Sequence, residues 1–418
     1  MSDESMISTA SLLKNRRVQS VLTSIKDRES VTIEQQVALS ETAAPTFDEG
    51  LRSQLFQDLL VRTGVHDVLP DTYGNVIGRI GNVGNGPVLM ITAHLDTVFD
   101  ADTDVAVTKK GAKLYGPGIC DDSRGLAAVL SVAKALVEIE DELSGGILIG
   151  ANVCEEGKGN LNGIKQLMNA YNFDAFITVD GATPDRLITQ ATGCLSYVVE
   201  FEGPGGHSFG NFGRPSAIHA AARSATAIAD ISVPEEPKTI YNVGVLRGGV
   251  TETAIGFSCR MEIDLRSTDD RELAILDTKV RDIIIAAVER ENDISDCEAG
   301  RVSFDMRQTV DIPTGSQAPD APLVHAAAEG LRSVGLEPQM QEAATTDANV
   351  PISRGVQAVC MPGGGTGSGL HSTNESYDIT NSHLGPQAVF IAALLAVGLT
   401  GISPLLEAES KVNCESTK

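Results

Sequence analysis

Four short stretches of this chain share one design. "PVLMITAHLD" (87–96), "GILIGANVCEE" (146–156), "AFITVDG" (175–181) and "GVQAVCMPGGG" (355–365) are almost wholly apolar. The first three stop at a histidine or an acid. Strands that are apolar on both faces must be covered on both faces. Helical patterns supply the cover: "SRGLAAVLSVAKALVEI" and "NGIKQLMNAY" fall between the strands, and "PQAVFIAALLAVGL" follows the last. The alternation predicts a parallel sheet with helices packed on it. "GNVIGRI" is read as a further strand, and "FDEGLRSQLFQDLLVRTG" as a helix ending on Gly64. Residues 1 to about 40 read as helical and polar.

The middle of the chain follows another pattern. "CLSYVVEFEG" reads as a strand, "RPSAIHAAARSATAIADI" as a helix, and "TIYNVGVLRGG" and "TAIGFSCRMEIDLRS" as two more strands. The second of these alternates Ile255, Phe257, Cys259, Met261, Ile263 and Leu265. A helix over "DRELAILDTKVRDIIIAAVERE" and a strand over "GRVSFDMRQT" complete a β-α-β-β-α-β order, that of a ferredoxin-like domain. A chain of 418 residues exceeds one ordinary core. The expected fold class is therefore α/β: a mixed, mostly parallel sheet covered by helices, in two parts over 1–194 and 312–418. An inserted ferredoxin-like α+β domain spans 195–311.

A net charge of −24 disfavours nucleic acid and anionic membranes as partners. The seven cysteines are scattered, with no CxxC pair, which points to a reducing compartment rather than a disulfide framework. The first residues lack the apolar core of a secretion signal, and no segment has the length of a membrane span. A soluble cytoplasmic protein is expected.

His94 and Asp96 lie just past the end of a predicted parallel strand, the edge where open α/β sheets bind ligands. A lone His-x-Asp there reads equally as a surface turn. Other sites are predicted at the same edge. Asp121 and Asp122 stand in the glycine-flanked turn "GPGICDDSRG", Glu155 and Glu156 in "ANVCEEGKG", Asp180 in "ITVDG", and His371 in "GSGLHSTNE". Each alone has a bland reading as a solvated or helix-capping residue. Gathered together, so many carboxylates repel one another unless cations neutralise them. A mixed imidazole and carboxylate set suits zinc, with cobalt or manganese as alternatives.

The pieces "HLDT", "GPGICDDSRG", "CEEG", "VDG", "GGHS", "TTDANV" and "GLHSTNES" occur in an order that resembles the M20 family of co-catalytic metallopeptidases. That family includes glutamate carboxypeptidase, peptidase T, acetylornithine deacetylase and succinyl-diaminopimelate desuccinylase. The resemblance spans about 90 to 380. It implies two divalent metal ions and hydrolysis of a peptide or amide bond in a small substrate, a di- or tripeptide or an N-acyl amino acid. It also implies that the inserted domain is a lid or dimerisation domain of a homodimer.

The resemblance assigns roles as well. His94 and Glu156 would hold one ion, Asp180 and His371 the other, with Asp121 bridging. Asp96 would accept a hydrogen bond from His94 and fix its tautomer. Glu155 would be the general base, and Asp122 an outer or capping residue. His207 in "GPGGHSFG" would reach the substrate and stabilise an oxyanion; its plain reading is a turn histidine. Arg266 in "EIDLRS" would bind a substrate carboxylate, with a surface salt bridge as its plain reading. Asn242 is a further substrate-binding candidate.

Two departures stand out. Many relatives carry Asn-x-Ile-Pro where this chain has "TAIG" (253–256), so Thr253 replaces an asparagine that helps to bind substrate. Arg124 stands where a lysine is commoner. Cys120 and Cys154, beside the site acids, read as small core residues. No glycine-rich stretch opens a helix directly after a strand in the dinucleotide-binding manner, which disfavours a nucleotide-cofactor enzyme. A non-catalytic relative is disfavoured because Glu155 and every ligand are present.

Overall fold

The computed structural model describes residues 3–408 apart from 85, 182 and 341–342, with side chains from residue 9 onward. The chain forms two compact units, Met1–Gln190 with Ser316–Lys418, and Ala191–Gly315. The junctions fall four residues outside those read from the sequence. The reason is local: Ala191 and Gly315 exchange backbone hydrogen bonds, which extends an antiparallel pair past its regular strands.

In the larger unit, six strands form one sheet: β1 (His66–Pro70), β2 (Val76–Gly81), β3 (Val88–His94), β4 (Gly146–Asn152), β5 (Ala175–Val179) and β6 (Gln357–Met361). The order is β1-β2-β4-β3-β5-β6. The last four strands in that order are mutually parallel, and β1 and β2 join antiparallel at one edge. Every residue of β3, β4 and β5 is buried, as their almost wholly apolar sequences require. β1 is mostly exposed and lacks apolar alternation, so nothing in "HDVLP" announces it.

Helices α1 (Asp3–Lys14), α2 (Arg16–Asp27), α3 (Glu29–Ser40), α4 (Gly50–Thr63) and α5 (Ser123–Val137) belong to this unit. The N-terminal region is helical as expected, yet less polar in effect. α2 buries Val18, Val21 and Ile25, and α3 buries Leu39. α4 ends at Gly64 with a left-handed φ of 95°. The helix Leu384–Val397 is apolar all round because it is enclosed. Its 14 residues reach about 21 Å, short of a hydrocarbon core. Among the described residues no helix is long and apolar enough to cross a membrane.

Register sets the site. His94 of β3 lies opposite Asn152 of β4, Thr92 opposite Thr178 of β5, and Ile177 opposite Val359 of β6. Four parallel strands therefore end along one edge. His94 closes β3, and the loops that leave the strands carry Asp96, Glu155, Glu156 and Asp180.

The smaller unit has strands Gly193–Glu202, Thr239–Gly248, Ser258–Ser267 and Ser303–Ile312 and helices Ala217–Ala229 and Asp270–Asp293. Numbered along the chain, its strands pair in the order 2-3-1-4, all antiparallel. That is the ferredoxin-like arrangement. Tyr197, Val199, Phe201, Met261, Ile263 and Leu265 share a core with the two helices. The alternation read from Ile255 holds only from Cys259. Ile255 pairs with Gly206 in a separate two-residue bridge, and Phe257 is exposed.

Candidate metal centre

His94 is the last residue of β3 and is buried. Its amide donates to Asp122 Oδ2 at 3.1 Å. Its ring Nδ1 lies 3.0 Å from the carbonyl oxygen of Asp96. A neutral imidazole donating there presents Nε2 as a lone pair, and Nε2 faces Asp121 Oδ1 at 3.1 Å.

This revises the part read for Asp96. The nearest carboxylate oxygen of Asp96 is 3.6 Å from the His94 ring, too far for a hydrogen bond. The backbone carbonyl two residues on takes that place. The Asp96 carboxylate instead accepts the amides of Glu155 at 2.9 Å and Glu156 at 3.0 Å and the Thr46 hydroxyl at 2.9 Å. It anchors the acid pair. An Asp96→Asn substitution replaces one accepting oxygen by a donor. It is expected to lower activity about 10- to 100-fold while the fold persists. Steady-state rates together with circular dichroism check this; unchanged rates would remove Asp96 from the site.

The loop before α5 is held from two sides. Asp122 caps the helix by accepting the Gly125 amide at 3.0 Å, the capping part anticipated for it. Buried Glu375 accepts the amides of Gly118, Cys120 and Asp121 at 3.0, 2.7 and 2.9 Å. Gly125 is a close approach: a Cβ there would collide with the Val179 carbonyl and the Asp122 carboxylate. Gly125→Ala is expected to cost about 1–3 kcal/mol, read as a drop in Tm. An unchanged Tm would show that the loop yields freely.

Arg124 lies outside the group of candidate ligands. It is buried and spent on the carbonyls of Gly363 and Ser382, each at 2.7 Å, and on Glu29 at 3.1 Å. Cys120 and Cys154 are buried core residues. Burial pushes the Cys154 thiol up to about 12, so it is no thiolate near neutrality.

His371 comes from a different direction. It sits in the loop of a hairpin that pairs Thr366–Ser368 with Ser376–Asp378, in left-handed backbone at φ 60°. Its Nε2 is 3.1 Å from Asp121 Oδ2 and 3.0 Å from Glu156 Oε1. The two oxygens of Asp121 thus face different histidines. Two sets of possible ligand atoms lie within 4.8 Å of one another: His94, Asp121 and Glu156, and His94, Asp122 and Asp180. Two ligands about 2.0–2.2 Å from one zinc ion stand roughly 3–3.5 Å apart, close to the spacings found here. The donor set of imidazole nitrogens and carboxylate oxygens fits divalent metal.

Residues 90–396 match the family pattern of peptidase family M20/M25/M40. The chain belongs to this family. It is 27% identical over 266 residues to acetylornithine deacetylase of Myxococcus xanthus, a stretch that covers 60% of this chain and 66% of that relative, just under two thirds. Its fold is similar to a tripeptidase of Staphylococcus aureus, with TM-score 0.72, 21% identity, and coverage of 87% of this chain and 97% of the other. It is also similar to a Bacillus subtilis protein described as a dinuclear metal binding peptidase of the M20 family, with TM-score 0.65, 14% identity, and coverage of 89% and 99%.

Three expected substrate residues of this M20 chain lie in the smaller unit. His207 is exposed, and its Nδ1 accepts the amides of Phe209 and Gly210 at 3.2 and 3.3 Å, which leaves Nε2–H as the outward donor. The "TAIG" segment runs beside it: His207 pairs with Ala254, and the Ser208 amide donates to the Thr253 carbonyl. Arg266 is half-exposed and ion-paired with Asp264 at 2.8 Å. Asn242 lies opposite Asp264 on the neighbouring strand and is exposed.

Sequence reasoning passed over two buried acids. Glu375 has the role described above. Asp347 accepts Asn152 Nδ2 at 2.7 Å, while its Oδ1 has no hydrogen-bond partner. The signal was the pair of stretches "TTDANV" and "GLHSTNES", which match the family without showing what their acids touch.

In the metal-free protein, protons take the place of cations. Burial, reinforced by Asp121, pushes Asp180 up to about 6. Burial likewise pushes Asp347 and Glu375 up to about 7. Hydrogen bonds to Asp121 and Glu156 lift His371 to about 10. Asp121 resists its burial and stays below the usual carboxylate range, held by His371 and His94. Groups with raised pKa bind more protons folded than unfolded, so stability falls as pH rises through them. For the three carboxyls the window is about pH 4 to 7, and for His371 about 6.5 to 10. The Tm of chelated protein is expected to decline between roughly pH 5 and 9, and the gain on adding metal to grow. Thermal melts with and without chelator test this; a metal-free Tm that rises with pH would overturn it.

Proposed function

We propose that this chain is a dinuclear metal-dependent exopeptidase acting on di- or tripeptides. The observation that carries the reading is Asp121, whose two oxygens face His94 and His371 at 3.1 Å each. Bridging two ions is the role that geometry suits. His371 and Glu156 would complete one ion, because their polar atoms are 3.0 Å apart. His94 and Asp180 would complete the other, because their ligand atoms lie within 4.8 Å of one another. This partition exchanges Glu156 and Asp180 relative to the one read from the sequence. Zinc is the first choice for the donor set, with cobalt or manganese next.

Bound ions would acidify a water molecule and polarise the scissile carbonyl. The rest falls to the chain. Glu155 takes the water's proton and passes it to the leaving nitrogen. Burial, with Asp347, Glu156 and Asp180 nearby, pushes its carboxyl well above the ordinary range, which suits a proton carrier near neutral pH. His207, with Nε2–H facing outward, is proposed to steady the oxyanion. Arg266 and Asn242 are proposed to receive a substrate carboxylate. The ferredoxin-like unit is proposed as a lid and homodimer interface. The six described cysteines are free, which supports a cytoplasmic setting.

A second reading, N-acyl amino acid deacylase, is favoured by the identity with acetylornithine deacetylase. One experiment separates them. Metal-loaded protein is given di- and tripeptides, their N-blocked and C-amidated forms, and N-acyl amino acids. Cleavage that needs a free α-amine supports an aminopeptidase. Cleavage of blocked substrates that needs a free carboxylate supports a carboxypeptidase or deacylase and a role for Arg266. No cleavage of any member with two ions bound would refute the proposal.

A further inference from the structure

A cleft between α3, α4 and α5 in the larger unit, with a volume of about 190 Å³, is lined by Arg28, Arg62 and Lys134. Three cations around so small a space are unusual in a chain of net charge −24. One acid answers them: Glu138 pairs with Arg28 at 2.5 Å. Among the described residues, Lys134 reaches only the carbonyl oxygen of Thr63, at 3.4 Å. Arg62 stands in the last turn of α4, where the helix end attracts a cation. That attraction explains one positive group there and leaves the others unexplained.

The hydrogen-bond inventory points the same way. Ser131, on the cleft wall, is 5% exposed, and its Oγ has no hydrogen-bond partner. Arg28 Nη2 is likewise buried and unpartnered. Buried donors are nearly always satisfied, and those that are not call for an explanation. Both orphans belong to residues that line the cleft, among its excess positive charge. The complement is a small ligand rich in acceptor oxygens and carrying negative charge. The volume limits its size. Sites for drug-sized molecules run about 300–1,000 Å³, so this cleft suits a compact anion.

We propose that this cleft binds a small phosphate dianion, either inorganic phosphate or a compact phosphomonoester. Arg28, Arg62, Lys134 and Ser131 supply the donors. The site is separate from the metal centre, and the inference does not rest on the peptidase reading. Its position still matters to that centre. Gln36 and Ser40 of α3 hold the carbonyls of Ile119 and Pro117 at 2.7 and 3.2 Å, and α5 starts directly after Asp122. An anion here would tie together the helices that frame the Asp121 loop.

Metal-loaded protein is titrated by calorimetry with inorganic phosphate, and separately with glycerol phosphate, at constant ionic strength held with sodium chloride. Phosphate also binds divalent metal, so the comparison is with variants in the cleft. Arg62→Gln/Lys134→Gln is expected to weaken one class of site about tenfold or more, and Ser131→Ala to weaken the same class. Lys134→Arg is expected to retain it. All three variants should keep the wild-type circular dichroism spectrum and Tm in the absence of phosphate, which shows that they are folded. Binding of the ester alone, or of inorganic phosphate alone, identifies the source and supports the site. Equal affinity and stoichiometry in wild type and the double variant would overturn the proposal, as would absence of binding by either anion.

Discussion

Glu155→Gln is expected to lower turnover about 10²- to 10⁴-fold, the usual contribution of a general acid–base group, and to leave two ions per chain. The reason is geometric. The Glu155 amide is fixed on Asp96 at 2.9 Å, and that of its neighbour Glu156 at 3.0 Å. Adjacent side chains diverge from this anchor. Glu156 is held against His371 at 3.0 Å, while no ion pair of Glu155 with the two site histidines is found. The amide keeps the shape of the side chain and removes its ability to take a proton. Elemental analysis and single-turnover rates on one preparation decide the matter. Loss of metal would make Glu155 a ligand, and unchanged turnover would remove it from the chemistry.

Asp121→Ala is expected to bring activity to background and to release both ions together. Its oxygens are the only groups found facing both His94 and His371 among the described residues. Without that carboxylate, His94 and His371 lose their common partner. The buried amides that hold the loop through Glu375 remain, so the fold is expected to survive. Retention of one tightly bound ion would show that Asp121 serves a single metal, and retention of two would exclude a bridge. The contrast with Glu155→Gln, which loses rate and keeps metal, separates a proton carrier from a ligand.

The strand-end pattern was legible in the sequence because burial on both faces leaves little room for polar residues along β3, β4 and β5. A histidine or an acid at the end of such a run marks the edge of the sheet. The helical spacing of α5 and the alternation from Cys259 to Leu265 were legible for the same reason: packing imposes periodicity. β1 was not, because an exposed edge strand satisfies its backbone without an apolar pattern. The bounds of the smaller unit were blurred by the Ala191–Gly315 pairing, which is a property of backbone geometry rather than side-chain type.

The site divides along similar lines. Residue type and order pointed to the histidines and acids at the strand ends, and the family resemblance singled out His94, Asp121, Glu156, Asp180 and His371 among them as candidate metal ligands. Which of them come within hydrogen-bond distance of one another, that a backbone carbonyl rather than a carboxylate meets His94 Nδ1, and that Glu375 holds the Asp121 loop were decided only by the tertiary structure. Hydrogen bonds select partners at about 3 Å, and residues 254 positions apart, such as Asp121 and Glu375, come within that distance only after the chain has folded.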